Sequence, residues 1–129
     1  MTIKIKVIVD ANIIISALLG GKAKFLLFDP RFNFITTQFT FDEVLKYIPL
    51  ISKKSGVSGK EIEEAISLLP IQVVDLKYYK DYIDEAENLI AKIDPKDVDI
   101  LALYLKEKTF LWSEDKDFDK IKDKINLIK

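Results

Sequence analysis

The chain contains neither cysteine nor histidine. Without cysteine, disulfides and thiolate chemistry are both excluded. Without histidine, the commonest general base and the commonest transition-metal ligand are also missing. A metal site in this protein must therefore be built from oxygen, which suits Mg²⁺, Mn²⁺ or Ca²⁺. Arginine occurs once, at Arg31, so the basic residues are almost all lysine, a poorer bidentate partner for phosphate. A net charge of −1 argues against coating nucleic acid by bulk electrostatics but leaves local recognition open. The longest apolar run, Ile13 to Leu19, is too short to span a bilayer. The opening "MTIKIKVIVD" lacks the apolar core and cleavage site of a secretory leader, so a cytoplasmic protein with no membrane contact is expected.

What remains is an ordinary globular mixture, 49% hydrophobic and 32% charged over 129 residues, enough for one domain (1–129) with a proper core. "IKIKVIVD" alternates and then becomes continuously apolar, as a strand does on entering a sheet covered on both faces. "NIIISALLGG" predicts a short helix with Asn12 as its N-cap and Gly20-Gly21 as its stop. "KAKFLLFD" adds a helical turn or two, and "NFITT" is a second strand. Helical spacing of Phe41, Val44, Leu45 and Ile48 follows, with Pro49 kinking or interrupting it. "VSGKEIEEAISLL" is an amphipathic helix with Ile62, Ala65, Ile66 and Leu69 on one face. "IQVVDL" is the third strand and "YKDYIDEAENLIAKI" a long helix. "TFLWS", "KDFDKIKD" and "INLIK" give a fourth strand, a short helix and a last strand. Strands alternating with helices predict a three-layer α/β/α sandwich around a mostly parallel sheet.

Parallel sheets bind ligands beyond the carboxyl ends of their strands, so the residues just after each strand carry the most information. Asp10 follows the first strand and Asp115 the fourth. Glu43 lies near the start of the helix after the second strand. In "KIDPKDVDILALYL", Asp94-Pro95 reads as N-cap and first helical residue. Asp97 then falls three residues into the helix, where it favours the helix dipole. It also shares a face with Ile100, Leu101 and Tyr104, so it points toward the sheet. Asp99 reads as a solvated charge. Each acid has an ordinary explanation as a cap or surface group, and the functional argument rests on four of them converging from separate segments.

Carboxylates brought together repel one another unless a cation neutralises them. A divalent ion in such a pocket lowers the pKa of a bound water and stabilises charge on a phosphoryl oxygen, and two ions roughly 3.5–4 Å apart hold attacking and leaving oxygens in line. Phosphodiester hydrolysis is thus a reaction this chain can run without His, Cys or Ser as nucleophile.

"VIVDANIIISALL", "FDEVLKYI", "DPKDVDILALYL" and "FLWSEDKDF" resemble, in order and spacing from Val7 to Phe118, the four motifs of the PIN-domain nucleases. The resemblance implies that Asp10, Glu43, Asp97 and Asp115 are the catalytic acids and bind Mg²⁺ or Mn²⁺, with Asp99 competing with Asp97 for the third position. It implies that Asn12 and Ser113 orient them by hydrogen bonds, and that Asp117 is an extra acid. It further implies an endoribonuclease acting on single-stranded RNA. Many small prokaryotic members are VapC-type toxins, often homodimers, silenced by an antitoxin protein. Lys22, Lys46, Lys53 and Lys54 are candidate RNA contacts. Two other classes compete with this reading. A catalytically inactive PIN-like binding scaffold would keep the fold without turnover. A Mg²⁺-binding receiver-like signalling module would need paired acids after the first strand, where Asp10 is followed by Ala-Asn. A P-loop is excluded because "GGKAKF" lacks the Gly-x-x-x-x-Gly-Lys-Ser/Thr spacing.

Overall fold

A computed structural model of the chain describes residues 4–129. Five strands form one sheet: β1 (Ile5–Val9), β2 (Phe32–Thr37), β3 (Ile71–Val74), β4 (Phe110–Trp112) and β5 (Leu127–Ile128). Their spatial order is β3-β2-β1-β4-β5, and every adjacent pair is parallel. All five strands therefore present their carboxyl ends on the same side. The first predicted strand began at Ile3, which lies outside the described residues.

Helices cover both faces, and β1 shows how the sequence arranges this. Val7 and Val9 face one core, with Phe34 and Trp112, while Ile8 faces the other, with Ile35 and Leu111. The first face is covered by α1 (Ala11–Leu18), α2 (Ala23–Leu27), α3 (Gln38–Lys46), α4 (Ile48–Ser55) and α5 (Gly59–Ser67), through side chains such as Ile14, Leu27, Val44, Ile51 and Ile62. The second is covered by α6 (Leu76–Tyr79), α7 (Ile83–Ile90) and α8 (Val98–Glu107), joined by Phe118 and Ile121 from the 3₁₀ turn at Lys116–Ile121. The expected three-layer sandwich is the observed fold. Burial on both faces of β1 explains its unbroken apolar run.

Local chemistry sets the breaks. Gly20, at φ +87°, takes the left-handed conformation that ends α1. Beside it, Gly21 passes so close to the Ser16 carbonyl that a Cβ would sit 2.8 Å from that oxygen. Pro49 falls in the first turn of α4, where its missing N–H costs nothing, so the predicted long helix divides at Tyr47 into α3 and α4.

Three expectations are corrected. The N-cap of α1 is Asp10, whose carboxylate accepts from the Ala11 N–H, and Asn12 lies inside the helix. The long helix expected over 79–93 is broken after Tyr79 into a 3₁₀ turn at Lys80–Tyr82 and α7, with α6 before it, a break that no Gly or Pro in the segment marks. Asp75, expected inside a strand, follows β3 and caps α6 through the Lys77 N–H.

Candidate metal centre

The strand order reverses between β1 and β4, the switch point where parallel sheets open a crevice for ligands. Asp10 leaves the end of β1, and Asp115 lies three residues beyond Trp112, the last residue of β4. A cavity of about 200 Å³ opens there, lined among others by Asp10, Asn12, Glu43, Asp94, Asp97 and Asp115, with Lys96 as its basic residue. Small-molecule pockets usually run from about 300 to 1,000 Å³, so this one suits hydrated ions and a phosphate better than a large apolar ligand.

Asp10 is buried and held at both oxygens. Oδ1 accepts from the Ala11 N–H at 2.8 Å, and Oδ2 accepts from the Ser113 hydroxyl at 2.8 Å. Ser113 is fully buried and acts as a hub, because its Oγ also accepts from the Asn12 amide at 3.3 Å and from the Asp115 N–H at 3.0 Å. Asn12 in turn accepts from the Glu114 N–H at 3.1 Å. One serine and one asparagine thus lock the ends of β1 and β4 together across more than a hundred residues of sequence.

Asp97 occupies a costly position. It closes a 3₁₀ turn (Pro95–Asp97) and stands at the N-cap position of α8, yet its side chain makes no capping bond. It is 6% exposed, and its Oδ2 has no hydrogen-bond partner. Burial, followed by the carboxylates of Asp115, Asp10, Asp94 and Asp117, pushes its pKa up to about 8. Burial also raises Asp10, against the hydrogen bonds from Ser113 and Ala11 that lower it, while Asp115 and Asp94 add repulsion.

Carboxylate oxygens of Asp94, Asp97, Asp115 and Asp117 lie within 4.8 Å of one another, an arrangement able to hold a metal ion. Asp115 and Asp117 are tied by the Asp117 N–H donating to Asp115 at 2.9 Å. Asp10 borders the same cavity from the β1 side. Glu43 reaches it from α3, where it pairs with Lys46 at 3.1 Å and stands outside the tight four-acid group. Asp99 is elsewhere. It is half-buried and accepts from the Tyr79 hydroxyl, so the expectation of a solvated charge is corrected: a first-turn residue one position past Val98 faces α6 rather than water.

Asp94 is the member of the acid cluster that sequence reasoning left out. Its Oδ1 caps the Lys96 N–H, as its Asp-Pro setting predicts. The turn that follows is 3₁₀, in which residues three apart eclipse, and this brings Asp94 over Asp97. The three-residue spacing across Pro95 was the available signal.

The donors gathered here are carboxylate oxygens, one of them buried without a partner, and burial followed by mutual repulsion raises Asp97. These features fit a hard divalent cation.

A family model described as "PIN domain" matches residues 8–126. The chain belongs to the PIN-domain family. Solved structures share its fold at low sequence identity. VapBC2 from Rickettsia felis, bound to a DNA fragment from its promoter, matches with TM-score 0.71 and 15% identity over 96% of this chain and 98% of that one. A toxin–antitoxin complex from Klebsiella pneumoniae matches with TM-score 0.66 and 20% identity over 95% and 96%. VapC20 from Mycobacterium tuberculosis, a sarcin–ricin-loop-cleaving toxin, matches with TM-score 0.61 and 19% identity over 89% and 94%. No curated protein sequence matches the chain.

Proposed function

We propose that the protein is a Mg²⁺- or Mn²⁺-dependent endoribonuclease that hydrolyses phosphodiester bonds of single-stranded RNA. The observation that carries this reading is the buried, unpartnered Oδ2 of Asp97 inside a ring of carboxylates. Asp10, Asp97 and Asp115 would hold the ion, with Asp94 and Asp117 beside them and Glu43 approaching from α3. When bound, the ion supplies charge neutralisation at phosphoryl oxygens and acidifies water. The chain's own part is positional. Ser113 and Asn12 keep Asp10 and Asp115 aimed at one point, and such orienting partners are worth about 10- to 100-fold in affinity or activity. Lys96 lines the acidic cavity and offers the scissile phosphate a cation.

In the cell the same reading makes the protein a cytoplasmic toxin, a homodimer paired with an antitoxin protein. Its support is the shared fold with toxin–antitoxin complexes. Among the described residues no helix is long and apolar enough to cross a membrane.

The test is cleavage of end-labelled single-stranded RNA by wild type, Asp10→Asn and Asp97→Asn, with Mn²⁺ and then EDTA. Cleavage is expected from wild type with Mn²⁺ alone. Activity that survives chelation or both substitutions refutes the proposal. A folded, metal-binding protein that never cleaves is instead the inactive scaffold.

A further inference from the structure

The α3 helix carries a feature that metal binding does not use. Phe39, Thr40, Glu43 and Tyr47 all line the acidic cavity. Phe39, Glu43 and Tyr47 are spaced four apart, so they form one stripe along the helix and its C-terminal cap, while Val44, about 100° round the helix from Glu43, is buried in the core. Phe39 is 40% exposed and Tyr47 43%, although both carry large aromatic rings. At a rise of about 1.5 Å per residue, their Cα atoms stand roughly 12 Å apart along the axis, one on either side of Glu43. The neighbouring exposed residues Leu45 and Leu50 do not border the cavity.

Two exposed rings flanking a carboxylate at the rim of a phosphate-sized cavity match what an unpaired strand presents, with bases on either side of a phosphate. Every base has a face to stack, and aromatic side chains are the usual platform for it. An apolar peptide is a poorer match, because the stripe is interrupted at its centre by Glu43 and opens onto a wall of acids. We infer that Phe39 and Tyr47 form a base-stacking platform that seats the nucleotides flanking the scissile phosphate. This would restrict the site to RNA whose bases are unpaired there. The inference rests on the nuclease reading and adds to it the residues that select single strands.

The test uses single-stranded oligoribonucleotides of one cleavable sequence, carrying 2-aminopurine or an abasic ribose at positions flanking the cut. Protein is wild type, Phe39→Ala, Tyr47→Ala and the conservative Tyr47→Phe, each checked for fold by circular dichroism. With Mn²⁺, each alanine variant is expected to raise KM about 5- to 150-fold, the range for loss of one stacked base, with kcat changed far less. Tyr47→Phe should stay near wild type. 2-Aminopurine fluorescence should be quenched on binding to wild type and recover in the variant that lacks the ring it stacks on. An abasic ribose should weaken wild type by the same factor and that variant hardly at all, since the two losses are one contact. Cleavage with unaltered KM and unaltered quenching in both alanine variants overturns the platform and leaves the nuclease standing. If those variants instead change the protein's self-association in light scattering, the stripe covers protein, and the platform is overturned in favour of an interface. If wild type neither cleaves nor binds any of the RNAs, the nuclease reading falls and the platform with it.

Discussion

Replacing Asp97 with asparagine should make the metal-free protein more stable, although it removes a candidate ligand. The folded state holds the Asp97 proton up to about pH 8, whereas an unfolded aspartate releases it near 3.8. Below pH 4 both states are protonated and the residue has no pH-linked effect. Between 4 and 8 the unfolded chain binds fewer protons than the folded one, so stability falls as pH rises, by about 1.36 kcal/mol per unit. At pH 7 the accumulated cost is on the order of 4 kcal/mol. Asparagine removes that cost but keeps a buried polar group in want of a partner, a loss of about 1–3 kcal/mol. The net gain is about 1–3 kcal/mol, or roughly 3–15 °C in Tm for a chain of this size. The assay is thermal unfolding followed by circular dichroism in EDTA at pH 7 and pH 4. Asp97→Asn should melt higher than wild type at pH 7, and at pH 4 it should melt level with wild type or lower. Millimolar Mg²⁺ or Mn²⁺ should raise wild type and close the gap, since an ion bound only to the folded state stabilises it by mass action. A variant that melts no higher at pH 7, or whose advantage persists at pH 4, refutes the account of Asp97 as a strained acid.

Ser113→Ala removes the donor to Asp10 and the acceptor for Asn12 and Asp115, so metal affinity by titration calorimetry should fall about 10- to 100-fold. The same change takes away a hydrogen bond that lowers Asp10, so the acid limb of any pH–rate profile should move to higher pH. Lys108 ends α8 with φ +50°, a conformation that costs a non-glycine residue roughly 1 kcal/mol, and Lys108→Gly should raise Tm by a few degrees without altering RNA cleavage. Leu103 is fully buried in α8, and Leu103→Ala should cost about 2–5 kcal/mol in denaturant unfolding.

Much of this architecture was legible because apolar periodicity reports burial directly. Ile8 between Val7 and Val9 announces a strand covered on both faces, and Pro49 and Gly20-Gly21 announce helix boundaries. The break between α6 and α7 was not legible, since "YKDYIDEAENLI" has sound helical spacing and contains no Gly or Pro to interrupt it. In the candidate site, Asp10, Glu43, Asp97 and Asp115 stood out because they follow strands or open helices, and all four line one cavity. Asp94 was hidden by a sufficient local explanation, its cap on Lys96, which it performs while also joining the acids. Asp99 was misjudged because its partner, Tyr79, arrives from an element twenty residues upstream. Neither error came from the acid itself; both came from the company that tertiary structure gives it.

The bond between Ser113 and Asp10 has a consequence in time as well as in space. These two residues are 103 positions apart, so at roughly 5–20 residues per second β1 waits about 5–20 s on the ribosome before β4 arrives to flank it. Until then the central strand has one open edge and Asp10 has only its neighbour's amide. The acid cluster is therefore completed only once the segment after β4, with Asp115 and Asp117, has been made. A nascent chain that has not yet extended past Ser113 therefore lacks the bond that fixes Asp10 and two of the four clustered acids, however well its earlier segments have folded.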